Sequence, residues 1–360
     1  MTILYVLIAI LLLGILVTVH EAGHFLAARL TGIEVMEFAI GFGPKIVGWK
    51  SKKHGTAFSL RAIPFGGYCA FYGEDDAEGK HKDDPRAYNR QKVWKRMLSV
   101  AMGPLMNMIL AFVVAVVYFW IGGVSVATGV DPYIAEVAAA GPAYDAGIRD
   151  GDVIVSVNGV DVLDGTVDTL LGMISGYQAG EDPLHMVIRR GDETLETDMT
   201  PFWDEEAGKY RVGVTIGGTY RIERQKVGFL GSVRSSWDVC VYASGVIVKA
   251  LGALVTTGEG LDQTSGPVGV VSMVSKEVQS GGLDAFVNLL VVISINLGIM
   301  NALPIPGLDG SRFLFMLVEA IRRKPVRKEL EGAIHAAGFI LLMGLMLVLT
   351  YRDIVQIFMK

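Results

Sequence analysis

Cysteine, histidine and charge are all scarce in this chain of 360 residues. Two cysteines, Cys69 and Cys240, cannot build a disulfide scaffold, so stability has to come from burial of apolar surface. Charged side chains are only 19% of the residues and the formal net charge is −5. That excludes a disordered chain and a basic nucleic-acid binder, and no nucleic-acid partner is expected. There are 6 histidines, few enough for any cluster of them to be conspicuous. What the chain has in excess is apolar: the AVILMFWYC set makes up 51% of it.

Much of that excess is gathered into four long runs, at about residues 3–30, 97–122, 285–303 and 333–350. Each meets the roughly 20 residues needed to cross a bilayer, whereas uncharged runs of this length are rare in buried core helices. Residues 3–19 carry no charge. The first run lacks a positive leader and a small-x-small cleavage site before His20, so it is read as a retained span rather than a signal peptide. Lysine and arginine orient the spans. Residues 29–96 carry 13 basic and 8 acidic side chains, and residues 310–333 carry 6 and 3. These two positive loops belong in the cytoplasm. Residues 123–283, with 11 basic and 22 acidic side chains, then lie outside, as do both termini. On this topology Cys69 and Cys240 face opposite sides and cannot pair.

Within the outer segment, residues 124–202 read as a compact β-rich domain. Residues 133–137, 152–162, 185–190 and 193–199 alternate as strands, Asn158-Gly159 marks a tight turn, and 166–176 has helical spacing. The stretch 141–159, GPAYDAGIRDGDVIVSVNG, resembles the central part of a bacterial PDZ domain. Such domains add an extended peptide to a sheet edge, which here is expected beside 133–137. A domain that only limits access by size is the alternative. Residues 227–258 are apolar but interrupted by Arg234, Asp238 and Lys249. They are read as one or two amphipathic helices near the outer surface, with a fifth span over 239–256 as the alternative.

The sharpest motif is His20-Glu21-Ala22-Gly23-His24 at the end of the first run. On a helix, positions i and i+4 share a face, so two imidazoles can bind one Zn²⁺ while the intervening glutamate takes a proton from water. Three ionisable groups within a span are too costly to carry without use. A catalytic zinc needs a third protein ligand and an open position. The better candidate is remote: Asp309 in NALPIPGLDG (301–310), where Pro304 and Pro306 break the third run at its cytoplasmic end. The 17 residues from 3 to 19 span about 25 Å of helix, which puts His20 in the inner leaflet.

Together, H-E-x-x-H and N-x-x-P-x-P-x-L-D-G resemble the site-2 protease family of intramembrane zinc metalloproteases, in its bacterial RseP/RasP branch. GFGP (41–44), IPFGGYC (63–69), GPLMN (103–107) and SGPVGV (265–270) are also similar to that family, and the resemblance covers nearly the whole chain. It implies a polytopic α-helical membrane protein with four transmembrane helices. An extracytoplasmic PDZ-like β-rich domain is inserted between them, and a membrane re-entrant β-hairpin lies on the cytoplasmic side, within 41–72. Many Gram-negative members carry two PDZ domains in tandem, and this chain has room for one. The resemblance makes His20, His24 and Asp309 the zinc ligands and Glu21 the catalytic base. Asn301, Pro304, Pro306, Gly66 and Gly67 are assigned to substrate binding. The host is a bacterial cytoplasmic membrane.

The expected organisation is a first span over 1–30, a cytoplasmic loop with the hairpin over 31–96, and a second span over 97–122. A PDZ-like domain follows over 123–204, then its C-terminal region with amphipathic helices over 205–284. The third span occupies 285–310, a cytoplasmic loop 311–332, and the fourth span with the C-terminus 333–360. The expected activity is endoproteolysis within the membrane segments of single-span proteins already trimmed outside, such as anti-sigma factors and remnant signal peptides. Peptide or substrate termini are expected at the PDZ-like domain. An inactive membrane-anchored PDZ scaffold is the competing reading, against which the intact Glu21 argues. An ion transporter is disfavoured by the absence of inverted repeats.

Overall fold

The computed structural model describes residues 3–74, 84–163, 167–205, 207–260 and 264–358. They form two compact units: Met1–Ile121 with Gly228–Lys360, and Gly122–Val227. In chain order, helix α1 (Ile3–Thr31) leads into strands β1 (Val35–Lys50) and β2 (Ala57–Phe71) and then helix α2 (Val93–Gly122). The second unit follows as β3 (Val124–Val137), the short α3 (Pro142–Asp145), β4 (Val153–Val157), β5 (Val160–Asp161) and α4 (Val167–Ser175). It continues with β6 (Leu184–Arg190), β7 (Glu193–Met199), β8 (Phe202–Asp204), β9 (Lys209–Arg211) and β10 (Val214–Gln225). Four helices close the chain: α5 (Phe229–Thr256), α6 (Pro267–Ala302), α7 (Asp309–Arg322) and α8 (Lys328–Phe358).

In the helical unit, α1 buries Ala9, Leu12, Leu16, His20, Gly23, His24 and Ala27, a stripe at three- and four-residue spacing. Leu12 and Leu16 pack against Val274, Val278 and Leu290 of α6. The opposite face is just as apolar, and Leu4, Leu7 and Leu11 stay more than half exposed. A helix apolar all round needs an apolar surrounding. Among the described residues, five helices are long and apolar enough to cross a membrane: α1, α2, α5, α6 and residues 329–356 of α8. α6 is broken at Gly282, whose φ of 57° and ψ of −135° no helix contains.

α5 departs from the expectation of short surface helices. It is one unbroken helix of 28 residues. At 100° per residue, Arg234, Asp238 and Lys249 fall on one face, so they do not interrupt it. Ser232, Ser236, Cys240, Ala243 and Ile247 form the opposite face. The two serines are buried, and Cys240, Ala243 and Ile247 pack against Ala111, Ala115, Val291 and Ile295 of α2 and α6. Among the described residues, α5 therefore joins the four expected runs as a fifth helix long and apolar enough to span. The runs read as 285–303 and 333–350 also extend, to Pro267–Ala302 and Lys328–Phe358.

β1 and β2 form a bent two-stranded sheet. Residues 35–40 lie between two parts of β2, pairing with residues 67–71 on one side and 57–60 on the other. Residues 67–71 therefore form an outer edge, and the sheet packs on α1. Its far end exposes Phe42, Ile46 and Ile63. At its base Glu37 accepts hydrogen bonds from Ser59 (2.6 Å), Arg61 (2.8 Å) and Tyr68 (2.8 Å).

The β-rich unit has its own core, including Ile134, Ile154, Leu170, Met186, Ile188 and Met199. Its main sheet runs β10-β3-β4-β6-β7, with β5 on β4. The Asn158-Gly159 turn has both φ positive, 50° and 75°, as a two-residue hairpin requires. The helix read over 166–176 is α4, Thr166 lying outside the described residues. Two expectations are corrected. The unit continues past residue 204 to Val227, because β10 pairs with β3 along its whole length. Residues 133–137 also offer no edge: β10 covers one side, and Asp152 and Val153 cover the other at Ile134 and Tyr133. The edges of the main sheet are β10, which lies beside α4, and β7.

Asp152 ties this unit together. It is buried, accepts two hydrogen bonds from Arg190 (2.8 and 2.7 Å) and takes the backbone N–H of Arg149 (2.8 Å). Burial pushes its carboxyl up, but Arg190 and the Arg149 amide outweigh that and hold it below the usual carboxylate range. A depressed carboxyl stabilises the fold above its unfolded pKa and ceases to do so as pH falls through its folded one. Asp152→Asn is expected to cost the β-rich unit on the order of 2 kcal/mol at pH 7. The difference from wild type should shrink below about pH 4. Amide hydrogen exchange of β4 and β6 in the full-length protein measures both.

Candidate metal centre

His20 and His24 sit one turn apart on α1, both 7% exposed. Their Nε2 atoms are 3.3 Å apart, and they stand 2.9 Å and 3.3 Å from one oxygen, Oδ2 of Asp309. The three ligand atoms lie within 4.8 Å of one another, a cluster able to hold a metal ion. Their chemistry fits zinc, which takes imidazole nitrogen and carboxylate oxygen. The environment fits as well. Nδ1 of His24 is 2.9 Å from the Ser99 carbonyl, which can only accept, so the proton resides on Nδ1 and the Nε2 lone pair faces Asp309.

Asp309 arrives because the chain between α6 and α7 turns sharply. Pro304 and Pro306 forbid helix there, and Gly307 adopts a φ of 98°. A Cβ on Gly310 would lie 2.3 Å from the carbonyl oxygens of Ala302 and Leu303, so only glycine lets α7 start against the end of α6. Asp309 then occupies the first turn of α7, where the helix dipole favours a carboxylate. Further along α7, Glu319 accepts from Arg96 of α2 (2.6 Å), holding the helix in place. The Gly307 N–H donates to Nδ1 of His335 at 3.3 Å, so this histidine braces the turn.

Close approach also shapes the floor of the site. A Cβ on Gly103 of α2 would lie 2.3 Å from the His24 ring and 3.0 Å from Nε2 of His20. A Cβ on Gly67 would lie 3.2 Å from Cγ of Glu21, so the outer edge of the hairpin passes over the glutamate of the H-E-x-x-H motif. The other residues expected to bind substrate are less central. Gly66, at a φ of 92°, packs under the Phe42 ring. Asn301 hydrogen-bonds to the Leu297 carbonyl of its own helix (3.0 Å). Pro304 is exposed, and the Pro306 carbonyl packs against Gly338 of α8.

Two contributors had no role assigned from sequence: Ser99, and Asn107, whose side chain is 3.1 Å from Nδ1 of His20. One signal was available. Ser99, Gly103 and Asn107 are spaced i, i+4, i+8 in a long apolar helix, which makes a small and polar row on one face.

The model of peptidase family M50 matches residues 8–345 of this chain. The regulator of sigma-W protease RasP of Bacillus subtilis is 32% identical, with 97% of this chain and 98% of that protein covered. The zinc metalloprotease RasP of Geobacillus kaustophilus is 31% identical, with 97% of each covered. Among solved structures, the PDZ domain of an SdrC-like protein from Listeria monocytogenes matches 25% of this chain and 87% of its own, at 21% identity and a TM-score of 0.22. The HtrA3 PDZ domain bound to a phage-derived ligand matches 26% and 69%, at 27% identity and a TM-score of 0.15.

Gly103→Ala tests the packing of the site. Its methyl group has no room beside the two imidazoles, and displacing reacting groups by about 1 Å costs on the order of 10²-fold in rate. A matching fall in proteolysis is expected, with the protein still folded by size-exclusion chromatography.

Proposed function

The chain belongs to peptidase family M50 and is a zinc metalloprotease, and from this premise we propose that it cuts peptide bonds within the membrane segments of single-span proteins. One observation carries the reading: two imidazole nitrogens and a carboxylate oxygen converge within an apolar helical unit, beside a free strand edge. His20, His24 and Asp309 are the zinc ligands. Zinc held there supplies Lewis acidity toward the scissile carbonyl and activation of water.

The chain's own residues do the rest. Glu21 accepts the proton of the attacking water and returns it to the leaving amine. A peptide bond inside a helix is shielded by its own hydrogen bonds, and breaking these in an apolar medium is costly. Residues 67–71 offer an unpaired edge over Glu21, on which an unwound substrate replaces those bonds with strand pairing. An apolar cleft of about 440 Å³ between residues 7–19 of α1 and Ile40 and Leu60 of the hairpin suits the approach of a hydrophobic segment. The exposed apolar end of the hairpin supports its insertion into the bilayer from the cytoplasmic side.

Three contacts support four net crossings even with α5 as a fifth apolar helix. Phe229 stacks edge-on with Trp120, so α5 begins at the C-terminal end of α2. Beyond α5, the Gly269 N–H donates to Asp353 near the end of α8 (2.7 Å), and the Ser275 hydroxyl, bonded to the Val271 carbonyl of its own helix, lies 3.3 Å from the Tyr5 carbonyl at the start of α1. Residues 229–266 thus begin and end at the same face of the unit, and α5 makes no net crossing. Both termini and the β-rich unit then lie outside the cytoplasm of a bacterial cell, consistent with the two positive loops inside. At the β-rich unit, the edge of β10 beside α4 is the place for a substrate terminus or peptide. The substrates proposed are anti-sigma factors and remnant signal peptides whose outer domains have already been removed.

Glu21→Gln is expected to keep its zinc and lose on the order of 10²- to 10⁴-fold in cleavage of a trimmed single-span substrate. Equal cleavage by the variant and the wild type would defeat the mechanism. Topology is checked with Tyr144→Cys in a background without the two native cysteines. A membrane-impermeant maleimide added to intact cells should label it, and labelling only after lysis would reverse the orientation.

A further inference from the structure

We propose that Asn107 is a positioning residue for the metal. Its side-chain oxygen accepts the Nδ1 proton of His20 and so holds that imidazole with its Nε2 lone pair turned to zinc. The inference rests on the zinc reading above and assigns a residue that reading does not use.

Asn107 is fully buried in α2, and its amide nitrogen lies 3.1 Å from Nδ1 of His20. Its Oδ1 is buried without a hydrogen-bond partner. A neutral imidazole carries one proton, and the partner of one ring nitrogen decides which nitrogen has it. With Nδ2 facing the ring, Nδ1 accepts and the proton resides on Nε2, directed at Asp309. A ligating Nε2 requires the reverse: a proton on Nδ1 and an acceptor facing it. A half-turn of the amide exchanges its two ends with no change of shape, and it presents Oδ1, the unpartnered atom, as that acceptor.

The second imidazole shows the same design in fixed form. His24 has the Ser99 carbonyl behind its Nδ1. Ser99 and Asn107 stand one helical row apart on either side of Gly103, whose missing side chain makes room for both rings. α2 thus supplies an acceptor behind each histidine. The backbone carbonyl of Asn107 is separately bound by the Ser294 hydroxyl (2.8 Å), so the link between α2 and α6 does not depend on the amide side chain.

The test is zinc affinity, measured by chelator competition on the full-length protein in detergent, for wild type, Asn107→Leu and Asn107→Asp. Leucine has similar bulk and cannot accept, whereas an aspartate carboxylate accepts. N107L is expected to weaken zinc binding about 10- to 100-fold. N107D should bind within a fewfold of wild type, a rescue that a merely structural role would not give. Equal affinity in wild type and N107L overturns the proposal, and so does a loss in N107D as large as that in N107L. Should N107L fail to fold, N107D decides alone: retention of zinc supports the proposal and loss overturns it. A wild-type protein without zinc would defeat the metal reading itself, and this inference with it.

Discussion

The two imidazoles of α1 meet one carboxylate oxygen of Asp309, 289 positions along from His20. An unpaired ionised group inside an apolar unit costs several kcal/mol, so the three side chains are tolerable only together. That demand governs the surrounding architecture. α1 and α2 must be close enough for a carbonyl of one to back an imidazole of the other. The segment between α6 and α7 must turn at one particular place, and α7 must be anchored so that its first residue points inward.

Each demand is met by a local device. Gly103 removes the side chain that would collide with the rings. Pro304, Pro306 and Gly307 end α6 and reverse the chain, and Gly310 lets α7 begin against it. The Arg96–Glu319 pair and the His335 contact behind the turn hold that arrangement from two sides. In an apolar medium helices gain little from hydrophobic association, so close backbone packing and buried hydrogen bonds carry more of the stability.

Much of this is legible in the amino-acid sequence. H-E-x-x-H is readable because helical periodicity alone brings His20 and His24 to one face. The spans are readable because length and lack of charge are one-dimensional quantities. The strands at 185–190 and 193–199 and the Asn158-Gly159 turn were readable from alternation and turn chemistry. α5 was harder: Arg234, Asp238 and Lys249 look like interruptions in a linear count, and only their angular positions show that they share a face. β10 escaped because Gly217 and Gly218 weaken its strand pattern, while pairing with β3 overrides propensity. The sheet edge was misplaced for a related reason, since which strands lie outermost depends on pairings between distant segments.

Sequence by itself determined which residue types one turn of α1 presents at the candidate metal centre and the apolar helices that carry them, because those follow from residue type and local spacing. Tertiary structure alone decided which polar groups stand behind the imidazoles, which hairpin edge lies over Glu21 and which strands of the β-rich unit lie at its edges. A hydrogen-bond partner or a free edge is a relation between segments far apart in the chain. Close packing sets such relations, and no local pattern encodes them.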